Sequence, residues 1–274
     1  MIIRAGVIGE PKSGKTRLIT DLPWGEEPFG DKAALVAWDP NSRNLESVLV
    51  DNREHLYVDW PKEYIEKNTK VYSPFDEAVR LAEWADSLED VRTIIWDTGS
   101  QTVDDLLYAI AAQGMYTREG NMVVRGSKGS LTVPIPTPGD YGATQRAFIY
   151  FLKRVLLEQN KNLIMSFHIE RVHEKIKNKQ GDYVDGELVL AGPMAGGPAA
   201  VEKVASIFTN LFRVALEPKA GGKYQRTVYT TKHKQYLAGL ASSLPVDPIQ
   251  QYDLDAGSGK DFWRAVARAM KGTK

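Results

Sequence analysis

The 274-residue chain has no cysteine, which excludes disulfides and thiolate metal centres and suits a reducing compartment. It also has no net charge: 35 Lys and Arg balance 35 Asp and Glu. Any affinity for nucleic acid must therefore come from a local basic surface and not from an overall field. No apolar run approaches the roughly 18 residues needed to cross a bilayer, and there is no internal repeat or low-complexity tract. The amino terminus enters a strand pattern at once, without the charged and apolar regions of a secretory leader, so a cytoplasmic chain is expected. What the chain does have is a hydrophobic fraction of 43%, enough for a sizeable core in one or two domains.

Apolar runs alternate with helical patterns. Strands are expected at 2–8 (IIRAGVI), 33–38 (AALVAW), 91–97 (VRTIIWD) and 161–167 (KNLIMSF). Between them, PFDEAVRLAEWADSL, TVDDLLYAIAAQ and YGATQRAFIYFLKRVLLEQ repeat apolar residues at helical spacing. Strands that are apolar almost throughout, separated by amphipathic helices, predict an α/β fold with a mainly parallel sheet covered on both faces. After about residue 170 two hairpins are expected, turning at Gly181-Asp182 and Gly221-Gly222 and appended to the sheet. AGPMAGGPAA reads as a flexible connector. Residues 113–139 and 241–260 fit no regular element; a loop that long inside a compact domain is usually functional or disordered. Ser258 and Asp261 form a capping box for a terminal helix carrying Phe262, Trp263, Val266 and Met270, which needs the core or a neighbour to pack against. The expected division is a core over 1–240, then a linker and amphipathic helix over 241–274.

Gly9-Glu10-Pro11-Lys12-Ser13-Gly14-Lys15-Thr16 matches GxxxxGK[ST], with an apolar strand before it and a helix start at Lys15-Thr16-Arg17 after it. Glycines let backbone N–H groups converge on phosphate oxygens, and the helix start adds partial positive charge. Lys15 would neutralise the β- and γ-phosphates of ATP, and the Thr16 hydroxyl would ligate Mg²⁺. A second magnesium ligand is expected from Asp97, where TIIWDTGS ends a strand beside the loop. Alone, Asp97 would read equally well as a turn residue.

These motifs occur in a set order: P-loop, LVAWDPN, IIWDTGS, a long loop, a helix opening DYG, LIMSFHIER and then hairpins. Over roughly residues 1–240 this order resembles the RecA-type ATPase core. More narrowly it is similar to phage-encoded RecA-like ATPases, the group that includes single-strand-annealing recombinases. The resemblance implies an ATPase assembled as a homo-oligomeric ring or filament in a phage-infected host, with a single-strand-binding protein as a further partner. It implies that His168, at the end of the fourth strand, senses the γ-phosphate; a solvated histidine is the bland alternative. It implies that Lys232 and Lys234 reach the ATP site of the adjacent subunit and stabilise charge on the transferring phosphoryl group; a solvated basic strand end is the alternative. The family's water-orienting glutamate has no counterpart after the second strand. Asp39 stands nearest, with Glu10 and Glu46 as substitutes, so slow turnover or a switch is expected.

The resemblance also implies that single-stranded DNA follows two loops. Arg118, Arg125 and Lys128 lie in the first, and Lys175, Lys177 and Lys179, on alternate positions of a strand, lie in the second. Glu170, Glu174, Asp182 and Asp185 dilute that charge. Three functions follow from these motifs: an ATP-dependent DNA recombination or annealing protein, a non-DNA ATPase switch or scaffold, and a small-metabolite P-loop kinase. The kinase ranks last, for want of an arginine-bearing lid.

Overall fold

The computed structural model describes residues 1–39, 52–62, 64–66, 69–71, 73–113, 121–126, 129–177, 182–219, 221–232, 235–239, 251–255 and 257–272. Eight strands form the central sheet: β1 (Arg4–Gly9), β2 (Lys32–Ala37), β3 (Leu56–Asp59), β6 (Val91–Asp97), β9 (Asn162–Phe167), β12 (Asn210–Lys219), β13 (Lys223–Tyr229) and β14 (Gln251–Asp253). Three two-stranded pairs stand apart from it: β4 (Tyr64–Glu66) with β5 (Thr69–Val71), β7 (Asn121–Gly126) with β8 (Gly129–Pro134), and β10 (Ile169–Lys177) with β11 (Tyr183–Pro193).

The sheet order is β14-β13-β12-β1-β9-β6-β2-β3. From β12 to β3 every neighbour is parallel, and only β13 runs against its partners. All six residues of β9 are buried, as are the last five of β1 and of β2. Burial on both faces explains why these strands read as continuous apolar runs instead of alternating ones.

Helices α2 (Pro74–Ser87), α3 (Gly99–Gln113) and α4 (Pro138–Phe151) cover one face, over a core that includes Trp38, Trp96, Phe148, Phe151 and Phe167. Helices α1 (Lys15–Thr20) and α6 (Gly259–Lys271) cover the other, over Leu18, Phe29, Phe212, Phe262 and Trp263. The short helix α5 (Val201–Ala205) leads into β12. No helix among the described residues is long and apolar enough to cross a membrane.

The expected α/β class and mainly parallel sheet are present, and the four expected strands fall within two residues of β1, β2, β6 and β9. The capping box at Ser258 and Asp261 opens α6, which packs on the core. Four expectations are corrected. Segment 113–139 holds the β7–β8 hairpin and the start of α4. The 141–159 helix becomes a π-helical turn at Leu152–Leu156. The connector at 191–200 is packed: Ala191, Ala195 and Ala200 are fully buried, and Gln145 Nε2 donates to the Gly196 carbonyl at 2.9 Å. The two late hairpins differ, because β12 is an inner strand of the main sheet whereas β10–β11 forms a sheet of its own.

One topological fact positions the site. β9 comes late in the chain but lies between β1 and β6, so the carboxyl ends Gly9, Phe167 and Asp97 share one sheet edge. On leaving β1 the chain passes to α1 on one face, whereas β6 leads to α3 on the other, which opens a crevice where connections diverge.

Candidate active site

The loop after β1 is shaped by its glycines. A Cβ on Gly9 would sit 2.5 Å from Ser13 Oγ and 2.7 Å from the Val214 carbonyl, and Gly14, which starts α1, has φ +100°. No larger residue fits the first position, and the second is strained for any L side chain. The loop closes through Ser13 N–H on the Glu10 carbonyl at 3.2 Å and Leu18 N–H on the Gly14 carbonyl at 3.0 Å. Ser13 is 1% exposed, and its hydroxyl finds no hydrogen-bond partner among the described residues. A buried hydroxyl without a partner, in a glycine-bent loop that runs into a helix start, suits an anion.

Lys15, 6% exposed, donates from Nζ to the Gly9 and Glu10 carbonyls, both at 2.9 Å. Burial lowers its pKa from the ordinary lysine value, and the charges of Asp97, Glu10 and Asp39 oppose that shift.

Asp97 is the hub. It is 1% exposed at the end of β6; Thr16 Oγ1 donates to its Oδ2 at 2.8 Å and Ser166 Oγ donates to its Oδ1. The Asp97 carbonyl accepts the N–H groups of Trp38 at 2.6 Å and Asp39 at 3.0 Å, which fastens the residue after β2 beside it. His168 follows β9; its N–H donates to Ser100 Oγ, which donates to the Met194 carbonyl, each at 2.9 Å. Its buried Nδ1 finds no partner among the described residues. Burial first, then the charge on Lys15, lower the His168 pKa from the ordinary histidine value.

Five residues named from the sequence, Lys15, Thr16, Asp39, Asp97 and His168, thus gather at one edge. Thr16 and Asp97 offer hard oxygen donors, the chemistry that suits Mg²⁺ held by one carboxylate and by phosphates. Among the described residues no group of three His, Asp or Glu makes an independent metal cage. The arrangement therefore fits a metal that arrives with its anion.

Other expected residues fall elsewhere. Pro11, Lys12 and Arg17 are exposed around the loop, and Lys232 is exposed after β13. Lys175 pairs with Asp185, and Lys177 Nζ lies 5.2 Å from the centre of the Tyr183 ring. Arg125 lies in β7, while Arg118, Lys128, Lys179, Lys234 and Glu46 lie outside the described residues. Sequence reasoning missed three contributors. Ser166 was visible as a hydroxyl inside the apolar run LIMSF. Arg171, which pairs with Glu10, and Arg226, whose Cδ would be 3.0 Å from a Cβ on Gly14, arrive from distant strands and left no local signal. Arg226 is held there by Asp255 Oδ1 at 3.0 Å.

Behind the site, burial raises the Asp104 pKa to about 6, helped by the charges of Asp105 and Glu170. A carboxyl raised in the folded state costs stability once it ionises. That cost is absent below about pH 4, where both states are protonated, and complete above about pH 6. Asp104→Asn is expected to stabilise the protein by about 1 kcal/mol at pH 8, after allowance for solvent screening, and by nothing at pH 3.5. Melting temperatures at the two pH values check this, and an equal effect at both would refute it.

No family model and no curated protein matches the chain. Solved structures similar to it include the flagellar accessory protein FlaH from Methanocaldococcus jannaschii, at 13% identity over 85% of this chain and 80% of that one, with a TM-score of 0.39. A KaiC-like protein from Pyrococcus horikoshii OT3 matches at 12% identity over 91% and 84%, with a TM-score of 0.44. The RadB recombinase matches at 14% identity over 86% and 84%, with a TM-score of 0.38.

Proposed function

We propose that the chain is a RecA-type P-loop ATPase that binds magnesium-ATP in the loop Gly9–Thr16 and hydrolyses it. The observation that carries this reading is the Thr16–Asp97 hydrogen bond of 2.8 Å. It joins residues 81 positions apart, one a loop hydroxyl and the other a strand-end carboxylate, in the pairing that a nucleotide-bound magnesium needs. Loop N–H groups and the Ser13 hydroxyl would take phosphate oxygens. Lys15 would leave two backbone carbonyls for the β- and γ-phosphates, exchanging neutral acceptors for charged ones. Thr16 and Asp97 would hold the metal, which would supply neutralisation of phosphate charge. Asp39, fastened beside Asp97, is the carboxylate proposed to orient the attacking water. His168, which lies near the charges of Lys15, Asp39 and Asp97, is the proposed γ-phosphate sensor.

We further propose a role in DNA recombination or single-strand annealing of the phage type, in a homo-oligomeric ring or filament. Lys232 and Lys234 would act in trans, with single-stranded DNA on the loops bearing Arg118, Arg125, Lys128, Lys175, Lys177 and Lys179. A cytoplasmic setting and a single-strand-binding protein nearby belong to that reading. The Lys175–Asp185 pair favours a second one, an ATPase switch without DNA, because it neutralises one cation of the supposed phosphate track. ATP turnover with and without single-stranded DNA, at two salt concentrations, separates them. DNA stimulation that fades with salt is expected for the first, and turnover indifferent to DNA would leave the second. Lys15→Ala should abolish turnover in either case; activity at the wild-type level in that variant would refute both.

A further inference from the structure

Glu10 is out of place in an anion cradle. It is the second residue of the loop, its carbonyl accepts Lys15 Nζ at 2.9 Å, and its carboxylate would repel the phosphates that the neighbouring N–H groups attract. Among the described residues it pairs with the Arg171 guanidinium, whose Nη2 donates to Glu10 Oε1. Arg171 belongs to β10, which starts one residue after His168, so it comes from the strand end that already borders the site. Both side chains are 45% exposed. A pair so open to water is weak and does not by itself explain a carboxylate placed against an anion loop.

We propose that Arg171 is a phosphate ligand for which Glu10 competes: it pairs with Glu10 and transfers to the nucleotide phosphates when they bind. This rests on the nucleotide reading above and adds a residue to it. The physical basis is competition between two acceptors for one fork of donors. A partly hydrated monocarboxylate is a poorer partner for a guanidinium than a polyanion with several oxygens per phosphoryl group. Glu10 thus raises the threshold for anion entry and keeps Arg171 from being misdirected.

The test is equilibrium binding of magnesium-ATP and of inorganic tripolyphosphate to wild type, Glu10→Gln, Arg171→Ala and Arg171→Lys. Removing the competing carboxylate should tighten both probes about 3- to 10-fold, and removing the guanidinium should weaken both by about 10-fold or more, with lysine in between. If Arg171 were only a staple for the loop, Glu10→Gln and Arg171→Ala would break the same contact and shift affinity in the same direction; that result, or no shift, overturns the proposal. Opposite shifts with ATP but none with tripolyphosphate would also overturn it, because the contact would not be with phosphate. Should Arg171→Ala fail to fold, Arg171→Lys added to Glu10→Gln decides: weaker binding of both probes than in Glu10→Gln alone supports the contact, and no further loss overturns it. A wild type that binds neither probe would instead sink the nucleotide reading itself, and this inference with it.

Discussion

Asp97→Asn is expected to weaken magnesium-dependent ATP binding by about 100-fold and to remove most turnover, while leaving binding in the presence of EDTA little changed. The argument starts from burial. At 1% exposure the carboxylate has little water around it, and its partners are the Thr16 and Ser166 hydroxyls, with the Lys15 cation nearby. An amide of the same shape can still accept from one hydroxyl, but its NH₂ must then face the other, and it carries no charge to hold a divalent ion. Losing a charged partner in a dry site costs several kcal/mol, of which about 2.7 kcal/mol is the hundredfold stated. Titrating magnesium at fixed ATP, by fluorescence of a labelled nucleotide, measures it. Unchanged magnesium dependence would remove Asp97 from the site. The shape is kept, so the melting temperature without ligand should move much less than the affinity does.

Much of this site could be read before the structure, for a physical reason. The loop Gly9–Thr16 is local: its glycines, lysine and threonine sit within eight consecutive residues and serve one anion. Asp97 and His168 were legible because parallel strands bring their carboxyl ends to one edge, so a polar residue ending an apolar run is already placed. What escaped depends on pairing between distant strands. Arg171 reaches Glu10 across 161 positions, and Arg226 reaches Gly14 only because β12 and β13 extend beyond the end of β1. β3 was missed because LYVD is a short run without the long apolar signature of its neighbours, and its last residue, Asp59, is spent on Arg80 and Lys62. The β7–β8 hairpin was missed because several glycines and prolines argue for irregular chain whether or not two short strands pair between them.

Trp263→Ala should be the most destabilising single change on the second face of the sheet, at about 4 kcal/mol, or a fall of roughly 10 °C in melting temperature. The indole is fully buried and meets Phe29, Phe212 and Phe262 edge-on at 5.9, 5.7 and 5.3 Å, so truncation leaves a cavity that three rigid rings cannot close. Its Nε1 also donates to the Leu18 carbonyl at 2.8 Å. Leu18 belongs to α1, the short helix that carries Lys15 and Thr16, and six residues are too few for a helix to hold its place without tertiary support. Helix α6 supplies that support again where Gly259 N–H meets Asp21 Oδ2 at 2.8 Å, and where Arg264 pairs with Glu26. Trp263→Phe separates the two contributions: it keeps most of the ring volume and loses the indole donor, and should cost about 1–2 kcal/mol. Magnesium-ATP binds only the folded state, so it should raise the melting temperature of both variants; if α6 positions the loop, that rise at a fixed nucleotide concentration should be smaller in Trp263→Ala than in wild type. Equal rises would mean that α6 stabilises the sheet without positioning the loop, and an unchanged melting temperature in Trp263→Ala would refute the packing argument from which both follow.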